Sequence, residues 1–470
     1  MNRSPYPFLF SFFEKATNGL LVGEDRSFTD ISIDSRNISA SSLFVAIRGK
    51  KFDGHDFIPD VIKKGVMGIV AEKNHPVLSG INYKDVSCLQ VINTQQALGD
   101  MAKAYKAQLN VKTVAITGSS GKTSTRKLIA NVLRKNFSIL TSEKNFNNEI
   151  GVPLTLLKLR PEHEWAVIEL GMSGFGEIAR LTDICQPDIG VVSNIGMAHL
   201  SGVGGTLEGV LIAKTELFTH MSTSGIAIIN MDDFFLRMFL PKIHQKVITY
   251  GTMAKADVQA TNVQTHFGKF TFKAKTKNGT IAIEISTINR FMVLNALSAI
   301  AVGLEAGITL EDIATSLKEV TPIRGRMNPI MTQKQILVID DTYNANPSSA
   351  SVALDAIREL PVSKKIVVLG DMGELGEKSA ELHYQIGTKV AEIMPDRLYL
   401  IGSFVENTAQ GAKAASMPEN AIFIGSHDAV VADLVQFVSA GDAVLVKGSR
   451  IMEMEKVVEP LVVWANKQSG

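Results

Sequence analysis

The stretch with the clearest capacity for chemistry is TVAITGSSGKTSTRKLIANVL, residues 113–133. Val114, Ala115 and Ile116 read as a buried parallel strand, and an amphipathic helix begins near Lys122. The first turn of that helix leaves free backbone N–H groups aimed back at the intervening loop, at the positive end of the helix dipole. Such a turn binds anions. Gly118 and Gly121 let the backbone approach a phosphate, Lys122 can reach β- and γ-phosphoryl oxygens, and the Thr123 hydroxyl can ligate Mg²⁺. The long form of this motif has a glycine where Ile116 stands, so the loop is the shorter G-x-x-G-K-T. The reading is a nucleoside triphosphate site.

Other polar residues fall where they can join it. The strand WAVIELG ends in Glu169, a carboxylate at the ligand-binding edge of an open sheet and a candidate Mg²⁺ ligand. His199 follows the next strand, in SNIGMAHL, on the same edge. Asn147 and Asn148, in KNFNNEIGVP, can bind a carboxylate or phosphate, or equally cap a helix start. Lys214, two residues before Glu216, reads on its own as a solvated helix lysine. Two aspartates, Asp340 and Asp341, end the strand ILVIDD, and Tyr343, Asn344 and Asn346 form a polar turn before Pro347. Arg326, in TPIRGRM, can serve as a positive clamp on a γ-phosphate.

These residues need strands and helices to hold them. A chain of 470 residues suggests about three domains. The first 108 residues mix short strands (SLFVAIRG, GIVAEK, CLQVIN) with helices, and end in the connector helix NTQQALGDMAKAYKAQL. From 109 to 323 strand and helix alternate through TVAITG, FSILTS, WAVIELG, IGVVSNIG, GIAIIN and KVITYG, which implies a mostly parallel sheet. The alternation FGKFTFKAKTKNGTIAIEI adds an antiparallel patch with a hairpin turn at Asn278-Gly279. After the junction TPIRGRMNPI, residues 324–470 repeat the strand–helix rhythm as a smaller, Rossmann-like doubly wound domain. The fold class is therefore α/β, with a small mixed N-terminal domain, a central phosphate-loop domain and a C-terminal domain.

A net charge of +1 gives no reason to expect nucleic acid or an anionic membrane as partner. The two cysteines, Cys88 and Cys185, fit neither a metal site nor a disulfide framework, which suits a reducing cytoplasm. The apolar start MNRSPYPFLFSFF is interrupted by Pro5 and Pro7 and lacks a cleavage site, so it is not read as a signal peptide. No run of about 18 apolar residues is present, so no transmembrane segment is expected.

Taken together, ITGSSGKTS, NFNNEIGVPLTLL, ELGMSGFGEIARL, NIGMAHL, AKTELF, RGRM, DDTYNANPSS, LGDMGELGEKSAELH and VKGSR resemble the Mur ligase family, the ATP-dependent amide-forming enzymes of peptidoglycan synthesis. The resemblance covers nearly the whole chain. It implies ATP contacts at Gly118, Ser119, Ser120, Gly121, Lys122, Thr123 and Ser124, an adenine contact at Asn295, and further contacts at Arg326, Asp341 (ribose side), Tyr343 and Asn344. It implies Mg²⁺, two ions in number, held through Thr123, Glu169, His199 and Lys214, the lysine carrying a CO₂-derived carbamate. Substrate contacts are implied at Ser35, Arg36, Arg48, Gly49, Asp53, Gly54 and His55 in UDP-sugar-binding segments, and at Asn147, Asn148 and Asn346. Where the family carries His-Asn before the adenine asparagine, this chain has Phe291 and Met292, and Phe291 can stack on the base. The reaction implied is phosphorylation of the terminal carboxylate of UDP-MurNAc-tripeptide, then attack by the amine of D-alanyl-D-alanine, within a cytoplasmic monomer. A diaminopimelate- or lysine-adding ligase, or a folylpolyglutamate synthetase, is the alternative within the enzymes. A nucleotide-dependent switch is the alternative outside them, and it has no need of Glu169, His199 and Lys214 beside a sugar-nucleotide domain.

Overall fold

The structure, a computed structural model, describes residues 8–49, 51–143, 146–253, 255–266, 269–322 and 324–467. Pro5 and Pro7, Lys50 of the segment 48–57, Lys144 and Asn145 of KNFNNEIGVP, and Ile323 of the junction lie outside the described residues.

The phosphate-loop strand Lys112–Thr117 lies inside a nine-stranded sheet, paired in parallel with Trp165–Glu169 on one side and Ile189–Val192 on the other. From this strand the chain first builds outward to Ile139–Thr141 and Trp165–Glu169. It then crosses over and builds the other way, through Ile189–Val192, Ile226–Asn230 and Lys246–Gly251. That reversal opens a crevice at the carboxyl ends of the strands, where open α/β sheets bind ligands. Val258–His266, Lys269–Thr276 and Gly279–Ser286 extend the same sheet as the expected antiparallel patch. The hairpin turn itself is Lys277–Asn278, one residue earlier than the sequence suggests. Gly279 pairs with Thr276 as the first residue of the returning strand, and its φ of +132° meets the turn's conformational demand.

The N-terminal sheet joins Leu20–Val22, Ser87–Val91, Gly68–Glu72, Ser42–Val45 and Asp30–Ser32 in that spatial order, with only the first pair antiparallel. The C-terminal sheet orders Asn328–Met331, Leu337–Asp341, Ala443–Lys447, Lys365–Gly370, Arg397–Ile401 and Ile422–Ile424, parallel but for its first strand. The mixed, central and Rossmann-like domains are thus all present.

The connector helix does more than connect. Thr94–Ala107 is capped by Asn93, whose side chain accepts from Gln96 N–H at 2.8 Å. One buried apolar cluster runs from Phe10, Phe13 and Leu89 through Leu98 and Met101 of this helix into Ile168, Leu181 and Leu217 of the central domain. Arg180–Asp100 at 2.7 Å and the Tyr105 hydroxyl on the Leu159 carbonyl at 2.8 Å fasten the same face. The N-terminal and central domains therefore share a core. The C-terminal domain is different: it packs around its own two clusters, one on each face of its sheet, joined from the central domain by Ile288.

The expectation is that residues up to 322 melt as one cooperative unit while the C-terminal domain melts separately. Leu98→Ala, a cavity in the shared core, is expected to cost about 2–5 kcal/mol and to lower that one transition in calorimetry, leaving the other in place. Separate melting of the N-terminal sheet would contradict the shared core.

Candidate active site

Gly118 and Gly121 adopt φ of +148° and +79°, which a side chain would resist. A Cβ on Gly118 would also sit 1.9 Å from the Ser193 hydroxyl oxygen. The helix Lys122–Leu133 starts directly after Gly121, as expected. The loop is fastened from the next strand end: Asn194 accepts from the Ser119 N–H through its carbonyl (3.0 Å) and from the Ser120 N–H through Oδ1 (2.9 Å). Lys122 folds back so that Nζ donates to the Gly118 carbonyl at 2.7 Å.

Glu169 is the hub. It is buried, and its Oε2 accepts from the Thr123 hydroxyl at 3.0 Å while its Oε1 accepts from the Asn147 amide at 3.1 Å. Arg126 Nε stands 3.6 Å from Oε2, and this buried nitrogen has no hydrogen-bond partner among the described residues. Arg326 Nη2 reaches the Thr123 hydroxyl at 3.3 Å from the C-terminal domain, with its guanidinium 4.0 Å above the Tyr343 ring. Asn147 and Asn148 separate in role: Asn148 Oδ1 accepts from the N–H groups of Ile150 (3.2 Å) and Gly151 (2.8 Å) and caps the helix Gly151–Leu156.

Lys214 is not a solvated lysine. It is buried on the helix Leu207–His220, and its ammonium has no hydrogen bond or ion pair among the described residues. Glu216 faces away, accepting from Gly176 and Ala179 N–H at 2.7 and 3.0 Å. Burial, and then the charge of Lys122, push Lys214 well below the usual lysine range. Burial also lowers Lys122, against the pull of Glu169. His199 is lowered by burial and by both lysines, against the pull of Glu374, whose Oε2 stands 3.2 Å from its Nδ1.

These groups line, or lie around, a cavity of about 970 Å³ between the central and C-terminal domains. Its walls include Ser119, Ser120, Gly121, Lys122, Thr123, Ser124, Asn147, Asn148, Glu169, His199, Asn295, Arg326, Asp341, Tyr343, Asn344 and Asn346, much of the predicted set. Gly118 and Lys214 are not on its walls. Asn295 lies against Gly121, and half-exposed Phe291 opens on the same space. Asp341 is already engaged, by the Met327 N–H at 3.0 Å and by buried Lys447 at 2.7 Å.

The N-terminal candidates are elsewhere. None of Ser35, Arg36, Arg48, Gly49, Asp53, Gly54 and His55 lines this cavity. Arg36 and Asp34 pair with each other at the surface. His55 is wholly buried with both ring nitrogens engaged, Nδ1 on Asp53 at 2.6 Å and Nε2 accepting from the Glu72 N–H at 2.9 Å, so its ring has no free nitrogen to offer a ligand. Burial works against the Asp53 charge, yet hydrogen bonds from the His55 backbone and ring and from Arg48 hold its carboxyl down to about 2. Arg126, Asn194, Glu374 and Lys447 were missed. Arg126, one helical turn past Lys122, has a positional signal; the other three stand in NIGMAHL, LGDMGELGEKSAELH and VKGSR, and tertiary contacts single them out within those stretches.

Residues 27–106 match the Mur ligase family catalytic domain, 116–303 the Mur ligase middle domain and 325–450 the Mur ligase glutamate ligase domain. The chain is 34% identical over 456 residues to a UDP-N-acetylmuramoyl-tripeptide–D-alanyl-D-alanine ligase of Haemophilus influenzae, covering 94% of this chain and 95% of that one. Crystal structure I of MurF from Acinetobacter baumannii superposes with a TM-score of 0.88 at 30% identity, covering 97% of this chain and 99% of that chain. MurF from Thermotoga maritima, solved with ADP, gives 0.82 at 29% identity, covering 92% and 97%. A diaminopimelate ligase and a folylpolyglutamate synthase, at 17% and 14% identity, share the fold alone.

The two asparagines give a paired test. Asn148→Ala removes a helix cap and is expected to cost about 1 kcal/mol of stability in denaturant melts, with ADP affinity kept. Asn147→Ala is expected to do the reverse, weakening Mg²⁺-dependent ADP binding by calorimetry with little change in stability. Equal behaviour of the two would contradict the assignment.

Proposed function

The chain belongs to the Mur ligase family, and from that premise we propose that it joins D-alanyl-D-alanine to UDP-MurNAc-tripeptide with the hydrolysis of ATP. The single observation that carries this reading is the cavity between the central and C-terminal domains, with the phosphate loop, Glu169 and Arg326 on its walls. A carboxylate does not form an amide unaided, because hydroxide is a very poor leaving group. A terminal carboxylate oxygen of the tripeptide attacks the γ-phosphorus and ADP leaves. The dipeptide's neutral amine then attacks the acyl carbon, and phosphate leaves with the C–O bond's electrons and takes up the proton that the nitrogen loses. Lys122, Arg326 and the loop N–H groups hold the phosphoryl oxygens as charge shifts among them, which is most of phosphoryl-transfer catalysis. The shared core of the first two domains fixes the donor side, and the C-terminal domain closes over it, which offsets the entropy of gathering three reactants. Both ATP and a UDP-linked precursor are cytoplasmic, so the reaction belongs there, and one chain supplies every group named.

Oxygen donors suit Mg²⁺, and Thr123 and Glu169 already meet at 3.0 Å, with His199 on the cavity wall. These residues would hold the metal, which supplies charge neutralisation at the β- and γ-oxygens. In the same reading Lys214 carries a carbamate. CO₂ adds only to a neutral amine, releasing a proton, and a buried lysine with depressed basicity keeps that amine available. The product is an anion in a region otherwise crowded by Lys122, Arg126 and Arg326.

ADP release is expected only when UDP-MurNAc-tripeptide and D-alanyl-D-alanine are both present, and Lys122→Ala is expected to abolish it, as a coupled assay would read. ATP turnover indifferent to either substrate would favour a switch over a ligase.

For Lys214, protein equilibrated with ¹³CO₂ is expected to show a carbamate carbon resonance that Lys214→Ala lacks, together with collapse of turnover in the variant. In CO₂-depleted buffer, activity is expected to fall as pH falls, since protonation removes the reactive amine. An unchanged Lys214→Ala turnover would overturn the carbamate.

A further inference from the structure

Asp340 is a buried carboxylate that no chemical step engages, and among the described residues it has no ion pair. Its Oδ1 accepts from the Thr342 hydroxyl at 2.6 Å and from the Thr342 N–H at 3.3 Å, a local turn at the end of its strand. Its Oδ2 makes a contact that no turn requires. It accepts at 2.8 Å from the Gly325 N–H, 15 residues back in the chain. Asp341 makes a parallel contact, its Oδ1 accepting from the Met327 N–H at 3.0 Å. Arg326 is the residue between these two holds.

The backbone bends sharply on both sides of Arg326 to reach them. Gly325 and Met327 lie at φ of +75° and +49°, left-handed conformations, and a non-glycine residue such as Met327 keeps one only where its surroundings impose it. The Gly325 carbonyl accepts from the Tyr343 N–H at 3.0 Å, and a Cβ on Gly325 would stand 3.1 Å from the Tyr343 Cβ. Gly325 therefore lies against the residue whose ring backs the Arg326 guanidinium at 4.0 Å. Asp341 is braced in turn by Lys447, which also donates to the Asn344 carbonyl at 2.9 Å. Arg324 pairs with Glu459 on the helix Glu455–Ala465. All of these anchors belong to the C-terminal domain, whereas the tip of Arg326 meets Thr123 of the central domain at 3.3 Å.

We propose that Asp340 is a positioning residue for phosphoryl transfer, whose hold on the Gly325 N–H fixes the base of the Arg326 side chain on the C-terminal domain and aims its guanidinium at the γ-phosphoryl group. The inference rests on the ligase reading above, in which Arg326 holds phosphoryl oxygens. An arginine side chain loses much rotamer freedom when it is ordered, and a fixed base with an aromatic backing leaves less to lose. Misplacing such a group by about 1 Å can cost on the order of a hundredfold in rate. The same clasp makes the guanidinium travel with the C-terminal domain instead of trailing on a slack junction.

The test is calorimetric binding of ADP and of β,γ-imido-ATP in the presence of Mg²⁺. The ratio of the two affinities isolates the γ-phosphoryl contact, and ADP affinity reports on the rest of the site. Arg326→Ala is expected to lower the ratio at least about tenfold, the loss of a charge-assisted hydrogen bond. Asp340→Ala is expected to lower it comparably while ADP affinity stays within about threefold, and the double variant to lose no more than either alone. Asp340→Asn is expected to keep the ratio. Its amide oxygen still accepts from Gly325, and its NH₂ donates to the Thr342 hydroxyl, which can accept as well as donate. Losses that multiply in the double variant, an Asp340→Ala protein with the ratio intact, or an Asp340→Asn protein no better than Asp340→Ala would overturn the positioning role. An intact ratio in Arg326→Ala would overturn the assignment of Arg326 to the γ-phosphoryl group, and the positioning with it. Neither probe needs the amide-forming substrates, so a failure of the ligase reading is read separately, as absence of D-alanyl-D-alanine turnover by the unaltered protein.

Discussion

The site is organised by one buried carboxylate among cations. Glu169 takes the Thr123 hydroxyl, the Asn147 amide and the field of Arg126 on two oxygens, at the end of a strand wholly covered on both faces. Around it stand Lys122, Lys214, Arg126 and Arg326, of which Lys122, Lys214 and Arg126 are lowered in basicity chiefly by burial. A buried charge without a partner is expensive. Among the described residues the Arg126 Nε has no hydrogen-bond partner, a sign of a region with more cationic groups than anionic ones until anions arrive. A triphosphate, an anion, supplies that balance.

Rigidity is distributed unequally. The helix Thr94–Ala107 packs N-terminal and central side chains into one cluster, so these two domains present a fixed platform. Apart from Ile288, which joins its core, the C-terminal domain meets that platform through polar contacts such as Arg326 to Thr123, the Met197 N–H to the Ser348 hydroxyl at 3.2 Å, and His199 to Glu374. Exposed polar contacts of this kind are individually weak. They can break and re-form, which suits a domain that must admit three reactants and then exclude water.

How much of this the sequence disclosed follows from how local each signal is. The phosphate loop was legible because its chemistry lies within a few consecutive residues, and the conformations of Gly118 and Gly121 are what their identity implies. The three sheets were legible from the rhythm of apolar runs. Lys214 looks solvated from its neighbours alone, a helix lysine near a glutamate, and only the family resemblance draws it into the site; Glu216 serves the start of the helix Glu177–Cys185 instead. His55 sits in a polar-looking segment, yet Asp53 and the Glu72 backbone consume both of its nitrogens. Asn147 and Asn148 are adjacent and chemically identical, and only the direction of each side chain separates the one that meets Glu169 from the one that caps a helix. Glu374 and Lys447 stand in LGDMGELGEKSAELH and VKGSR, but what singles them out within those stretches is contact with residues far away in the chain, His199 and Asp341.

The same charge imbalance explains why closure and chemistry are coupled. Arg326 comes from beyond the junction, yet it adds to the positive field over Thr123, so bringing the C-terminal domain in concentrates cations and is opposed unless anions are already bound. The triphosphate thus favours the closed arrangement through differential interaction with it, which is the only way a ligand can shift such an equilibrium. Release of phosphate and ADP would then leave Lys122, Arg126 and Arg326 to repel one another without that anion between them, which favours parting of the domains.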